Sequence, residues 1–142
     1  MFLLDANILI ALGDADHVHH GRALLFFEKH AVTEGWATCP LTENAFLRIL
    51  GNPKYEAGPG SPDLARRSLL SITRAPGHQF WPDSISLGDI RVFPSLTASK
   101  HLTDLYLLVL AIKRSGRLAT LDHRIEPNLL PRGLAAYHVI PG

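Results

Sequence analysis

The stretch TDLYLLVLAIKRSG, residues 103–116, followed at once by RLATLD, residues 117–122, decides the fold class. The apolar run from Leu105 to Ile112 fits a buried strand or a buried helix by periodicity alone. Its ends decide for a helix. Thr103 reads as a cap, Asp104 stands at the positive N-terminus, Lys113 and Arg114 fill the last turn, and Gly116 stops the helix. A helix apolar nearly all round must be buried. Leu118 to Leu121 then reads as a buried strand ended by Asp122.

Working outward, the same alternation recurs. Phe2 to Leu4 is an apolar run ended by Asp5, followed by a short helix from Asn7 to Leu12 that Gly13 stops. Asp16 is positioned to cap a longer helix through HVHHGRALLFFEKHAV, residues 17–32. Trp36 to Thr38 reads as a second strand, with Pro40 at the first position of the next helix. On that helix Leu41, Ala45 and Ile49 recur at i, i+4 and i+8, a stripe expected to be buried and ended by Gly51. After EAGPGSPD (56–63), Ser61, Pro62 and Asp63 signal a helix running to about Arg74. HQFW (78–81) and AAYHVI (135–140) read as further strands, and residues 82–101 as a loop with a short helix near Leu87. Strands alternating with helices predict an α/β domain, a three-layer α/β/α sandwich on a mainly parallel sheet, with residues 1–142 forming one domain.

Composition agrees. The 142 residues are 46% apolar and 19% charged, with mean hydropathy +0.10, which excludes disordered, coiled-coil and collagen-like classes. The longest apolar run is far below the ~20 residues of a bilayer span. The N-terminus lacks a basic leader, and the single cysteine, Cys39, suits a reducing compartment. A soluble, cytoplasmic protein without membrane contact is expected. Net charge is +1, but residues 1–47 carry −4 and residues 48–142 carry +5. That asymmetry accompanies anion binding in some proteins and scattered solvated arginines in others.

Four acids stand where α/β proteins place ligands. Asp5 and Asp122 end strands, while Glu43 and Asp104 lie in first helical turns, and in a parallel sheet these positions share one edge. Each has an ordinary alternative as a turn residue or a helix-dipole partner. Four converging carboxylates repel one another unless a cation sits among them, and oxygen-only ligation favours Mg²⁺, with Mn²⁺ as a substitute. Such a site holds a phosphodiester and activates a water for in-line attack, leaving a 3′-hydroxyl and a 5′-phosphate. No nucleophilic triad is evident. His17, His19, His20 and His123 fit turns and a helix start better than a metal site, Arg48 fits a helix surface, and Trp36 and Trp81 fit a core.

FLLDANILIAL, PLTENAFLRIL, LTDLYLLVLA and RLATLDHRI, in this order, resemble the motifs of PIN-domain ribonucleases, and more narrowly those of the VapC-type toxins of bacterial toxin–antitoxin modules. The resemblance implies a Mg²⁺-dependent endoribonuclease in which Asp5, Glu43, Asp104 and Asp122 are the catalytic and metal-binding acids. Asn7 and Thr120 match supporting polar positions; apart from the resemblance, Arg124 could meet RNA phosphate or serve in a surface salt bridge. The implied partners are an RNA substrate, a cognate VapB-type antitoxin and a second copy of the chain. Two other classes stay open on the residues alone. One is an aspartyl-phosphate phosphatase or receiver domain, which Asp5-Ala6-Asn7 serves poorly for want of a second acid. The other is a non-catalytic module whose acids bind arginines.

Overall fold

A computed structural model describes residues 1–96, 99–122 and 132–141. Five short strands, β1 (Phe2–Leu4), β2 (Trp36–Thr38), β3 (His78–Phe80), β4 (Arg117–Thr120) and β5 (Tyr137–Val139), form one sheet. Their order is β3-β2-β1-β4-β5 and every pairing is parallel. The chain therefore builds outward from β1 on one side, through β2 and β3, and then returns to build β4 and β5 on the other. The carboxyl ends of β1 and β4 flank the point where that direction reverses, the place where open parallel sheets bind ligands.

Side chains alternate across each strand and feed two cores. Phe2, Leu4, Trp36 and Ala119 join Ile8, Phe26, Phe46 and Leu69 on one face. That core is covered by α1 (Ala6–Gly13), α2 (His20–Phe26), α4 (Pro40–Leu50) and α5 (Pro62–Thr73). Between α2 and α3 (Val32–Glu34), residues Phe27–Ala31 form a π-helical turn. Leu3, Ala37 and Leu118 point the other way, against Tyr106 to Ala111 of α6 (Leu102–Lys113). The last helix is α7 (Gly133–Ala136). The result is the expected α/β/α arrangement, with a sheet that is wholly parallel among the described strands. None of the described helices is long and apolar enough to cross a membrane.

Several local expectations shift. The α2 helix starts at His20 instead of being capped by Asp16, whose N–H is instead turned onto the Asp14 carboxylate at 3.0 Å. At α6 the N-cap is His101 and Thr103 lies inside the first turn. Past its C-terminus the left-handed residue is Ser115 (φ 55°). Gly116 serves close approach instead, because a Cβ there would stand 3.0 Å from the Met1 carbonyl oxygen. Residues 135 and 136 belong to α7, so β5 begins at Tyr137. Around Leu87 the chain makes turns without a helix, and a 3₁₀ turn, Ser99–His101, leads into α6.

The buried stripe of α4 is displaced by one residue from the expected Leu41, Ala45 and Ile49. Thr42, Phe46 and Leu50 face the core, while Leu41 and Ile49 are each 37% exposed. One step is 100° of helix rotation, and the larger Phe46 ring, 0% exposed, wins the core side over Ala45. Truncation separates the two registers. Phe46→Ala is expected to cost roughly 3–5 kcal/mol in urea unfolding, and Ile49→Ala about 1 kcal/mol or less; equal losses would contradict this stripe.

Candidate active site

Because β1 and β4 pair in parallel, the residues after them arrive side by side. The Asp5 N–H donates to the Ala119 carbonyl at 2.9 Å, which carries the pairing one residue past β1. Asp5 is the N-cap of α1, and its carbonyl accepts from the N–H groups of Ile8 and Leu9. Its side chain does no capping and turns to β4, where the Thr120 hydroxyl donates to Oδ2 at 2.7 Å. Thr120 Oγ1 also accepts from Asn7 Nδ2 (3.1 Å) and from the Asp122 N–H (3.0 Å). Asn7 Oδ1 in turn accepts from the Leu121 N–H at 3.2 Å. The two polar residues expected to support the site, Asn7 and Thr120, thus brace the ends of β1 and β4 against each other. The hydroxyl of Thr120 is fully used, with one proton given and two accepted.

Asp5 is only 7% exposed. Burial is the main cause that pushes its carboxyl up from 3.8 to about 6, and the charges of Asp104 and Asp122 push the same way. The Thr120 hydroxyl and the Ala6 N–H pull against them without prevailing. That repulsion places three of the four expected acids within electrostatic reach of one another. Asp104 reaches this edge because α6 precedes β4 and runs back across the sheet, setting its first turn beside the strand ends. His101, three residues earlier, stands 3.7 Å from Asp104 Oδ2. Asp122 is tied down at its N–H by Thr120 and at its carbonyl, which accepts from the Tyr137 hydroxyl.

Glu43 is held differently. It lies in the first turn of α4, and Oε2 accepts from the Thr38 hydroxyl at 2.8 Å, while Thr38 Oγ1 also lies 2.8 Å from His78 Nε2. Its charge acts on His78, whose imidazole burial pulls below the ordinary 6.5. Among the described residues, no three His, Cys, Asp or Glu side chains stand ready-assembled as a metal site. What Asp5, Asp104 and Asp122 offer is carboxylate oxygens that repel one another, the chemistry that a hard divalent cation relieves.

Other sequence candidates resolve simply. His20 Nδ1, at the start of α2, bonds the Ala11 carbonyl of α1 at 2.6 Å, and His17 Nδ1 accepts from the His19 N–H at 3.0 Å in the turn before α2. Trp36 and Trp81 are core residues, 0% and 2% exposed, and Cys39 is buried, which pushes its thiol up. Arg48 is exposed. His123 and Arg124 lie outside the described residues. Sequence reasoning passed over Thr38, His78 and His101. The one available signal was at Thr38, a hydroxyl that closes an apolar strand five residues before Glu43 much as Thr120 precedes Asp122.

Against known proteins, the PIN domain family model matches residues 2–127. Ribonuclease VapC38 of Mycobacterium tuberculosis is 45% identical over 122 residues, covering 86% of this chain and 85% of the relative. Ribonuclease VapC44 of the same organism is 38% identical over 131 residues, 91% of both chains. The crystal structure of Mycobacterium tuberculosis VapC20, a sarcin–ricin loop cleaving toxin, aligns with a TM-score of 0.61. It covers 87% of this chain and 92% of that one at 12% identity, a likeness of fold.

The raised Asp5 carboxyl sets a pH dependence. A native group that binds its proton more tightly than the unfolded chain contributes stability below about pH 4, and that stability is lost as pH rises through about 6. In EDTA at pH 7, Asp5→Asn should therefore be more stable than the parent chain by on the order of 3 kcal/mol, with the gap closing towards pH 4. Urea unfolding at pH 4, 5.5 and 7 measures it, and a variant less stable at pH 7 would refute the account.

Proposed function

The chain belongs to the PIN-domain family, among its VapC ribonucleases, and we propose that Asp5, Asp104, Asp122 and Glu43 form the site at which it hydrolyses RNA. It is an endoribonuclease, the toxin of a VapBC-type module. The observation that carries the site assignment is Asp5: a carboxylate buried at the reversal point of the sheet, pinned by Thr120, and repelled by Asp104 and Asp122. A carboxylate held at such a cost, with no cationic partner among the described residues, fits a divalent ion.

We assign Asp5 and Asp104 as the principal ligands of Mg²⁺, which Mn²⁺ can replace, with Asp122 and Glu43 completing the set directly or through water. When bound, the ion supplies neutralisation of the scissile phosphate and an acidified water. The chain's own part is positioning. Asn7 and Thr120 keep Asp5 fixed as charge enters the edge, since the hydroxyl that donates to Asp5 is itself fixed by two donors. The same saturation removes Thr120 as a nucleophile, and burial keeps the Cys39 thiol protonated. Water is left to attack, without a covalent intermediate. Arg124 is assigned to substrate phosphate.

A VapB-type antitoxin and a second copy of the chain are the protein partners, and residues 1–142 act as one domain in the cytoplasm, where RNA is met. An antitoxin arginine would bind the carboxylates bidentately and take the place of the ion. Its apolar side chains would need exposed partners. Phe26, Phe27 and Phe46 are buried, which leaves Leu24, Leu25, Leu41 and Ile49 on α2 and α4.

RNA cleavage tests the assignment. Single-stranded RNA is expected to be cut in Mg²⁺ or Mn²⁺ and left whole in excess EDTA. Asp5→Asn and Asp104→Asn should each lower the rate at least a hundredfold with unchanged circular dichroism, on the scale of losing one preorganised charge at a reacting phosphate. Full activity in chelator, or in either variant, would reject it.

A further inference from the structure

The hydrogen bonds around Glu43 form a chain that runs through three elements of the fold. Thr38 ends β2, Glu43 opens α4, and His78 begins β3, so the pairing of β2 with β3 sets the imidazole beside the hydroxyl. Thr38 is 0% exposed, and its Oγ1 lies 2.8 Å from both Glu43 Oε2 and His78 Nε2. Proton bookkeeping fixes the direction. An ionised carboxylate can only accept, so the single hydroxyl proton of Thr38 points at Glu43. The hydroxyl oxygen is then an acceptor, and His78 must carry its proton on Nε2. The chain reads His78 Nε2–H to Thr38 Oγ1–H to Glu43 Oε2, each bond polarising the next in a buried setting.

We infer that Thr38 and His78 are positioning residues for Glu43, fixing one carboxylate oxygen so that the other is presented to the divalent ion in a single orientation. This rests on the assignment of Glu43 to the metal site made above. Glu43 sits on a helix that packs mainly against α1 and α5, so without this chain its flexible side chain has three rotatable bonds to settle. His78 is suited to the task because its ring also packs on Trp36, with centroids 4.6 Å apart, which fixes the imidazole plane. The arrangement parallels the Thr120–Asp5 bond on the other side of β1. There too a hydroxyl at a strand end donates to a carboxylate, and a second side chain, Asn7, fixes the hydroxyl.

The probe is Mn²⁺ alone, titrated calorimetrically into the whole chain. Thr38→Val keeps the shape and removes the hydroxyl, and His78→Phe keeps the ring contact and removes the donor. Both should weaken Mn²⁺ binding, Thr38→Val by about tenfold, the lower end of what outer contacts to metal ligands contribute. Thr38→Ser and His78→Gln, which restore a hydroxyl and a donor at the Nε2 position, should recover most of the loss. The parent chain supplies a second readout independent of any variant: nitrogen-15 shifts of His78 should report a ring protonated at Nε2 with Nδ1 bare at pH 8. A ring protonated only at Nδ1, or Thr38→Val and His78→Phe binding Mn²⁺ like the parent, would overturn the inference. Glu43→Gln separates the two levels. If it weakens binding while Thr38→Val does not, the positioning role alone fails; if Glu43→Gln binds like the parent, the metal role of Glu43 fails and takes the inference with it.

Discussion

The bond from the Thr120 hydroxyl to Asp5 carries more of this molecule than its 2.7 Å suggests. It joins the ends of the two strands on either side of the sheet's reversal point, and it holds in place a carboxylate that burial and two like charges oppose. Clustered carboxylates destabilise an apo fold, and the molecule offsets that with two well-filled cores. Leu3, Leu4, Ile8, Leu9, Leu108 and Leu110 are each 0% exposed within a few residues of the acids. The strain of the candidate site and the packing of its surroundings are therefore one design: the apolar frame keeps the carboxylates from relaxing apart into water.

That frame was legible in the sequence where burial and chain ends agree. Phe2 to Leu4 and Leu118 to Leu121 are too apolar to lie anywhere but in a central strand, and an acid directly after such a run has one place to go, the carboxyl edge. Asp104 was harder. Its helix precedes its strand, and only the antiparallel return of α6 across the sheet brings the first turn back to Asp5. The α4 stripe shows the limit of periodicity: Leu41, Ala45 and Ile49 fit a helical face as well as Thr42, Phe46 and Leu50 do, and the volume of Phe46 decides between them.

The contacts around Glu43 were not legible, for a physical reason. Thr38 and His78 are 40 residues apart, and nothing in either local stretch announces that β2 and β3 pair with Thr38 and His78 two residues out of register. Likewise no local signal sets the 101-to-104 approach of imidazole to carboxylate apart from any other helix start. The Thr38–His78 hydrogen bond is long-range and depends on strand register, and three-residue strands offer too little pattern to read it from.

Strand order has a consequence in time. Asp5 leaves the ribosome 115 positions ahead of Thr120 and well ahead of Asp104. Synthesis at about 5–20 residues per second leaves the first strand waiting several seconds or more for the fourth. Until then Asp5 has no Thr120 hydroxyl to hold it. The brace between Asp5 and Thr120 therefore closes only once β4 is laid beside β1. The delay is written into the order of the strands.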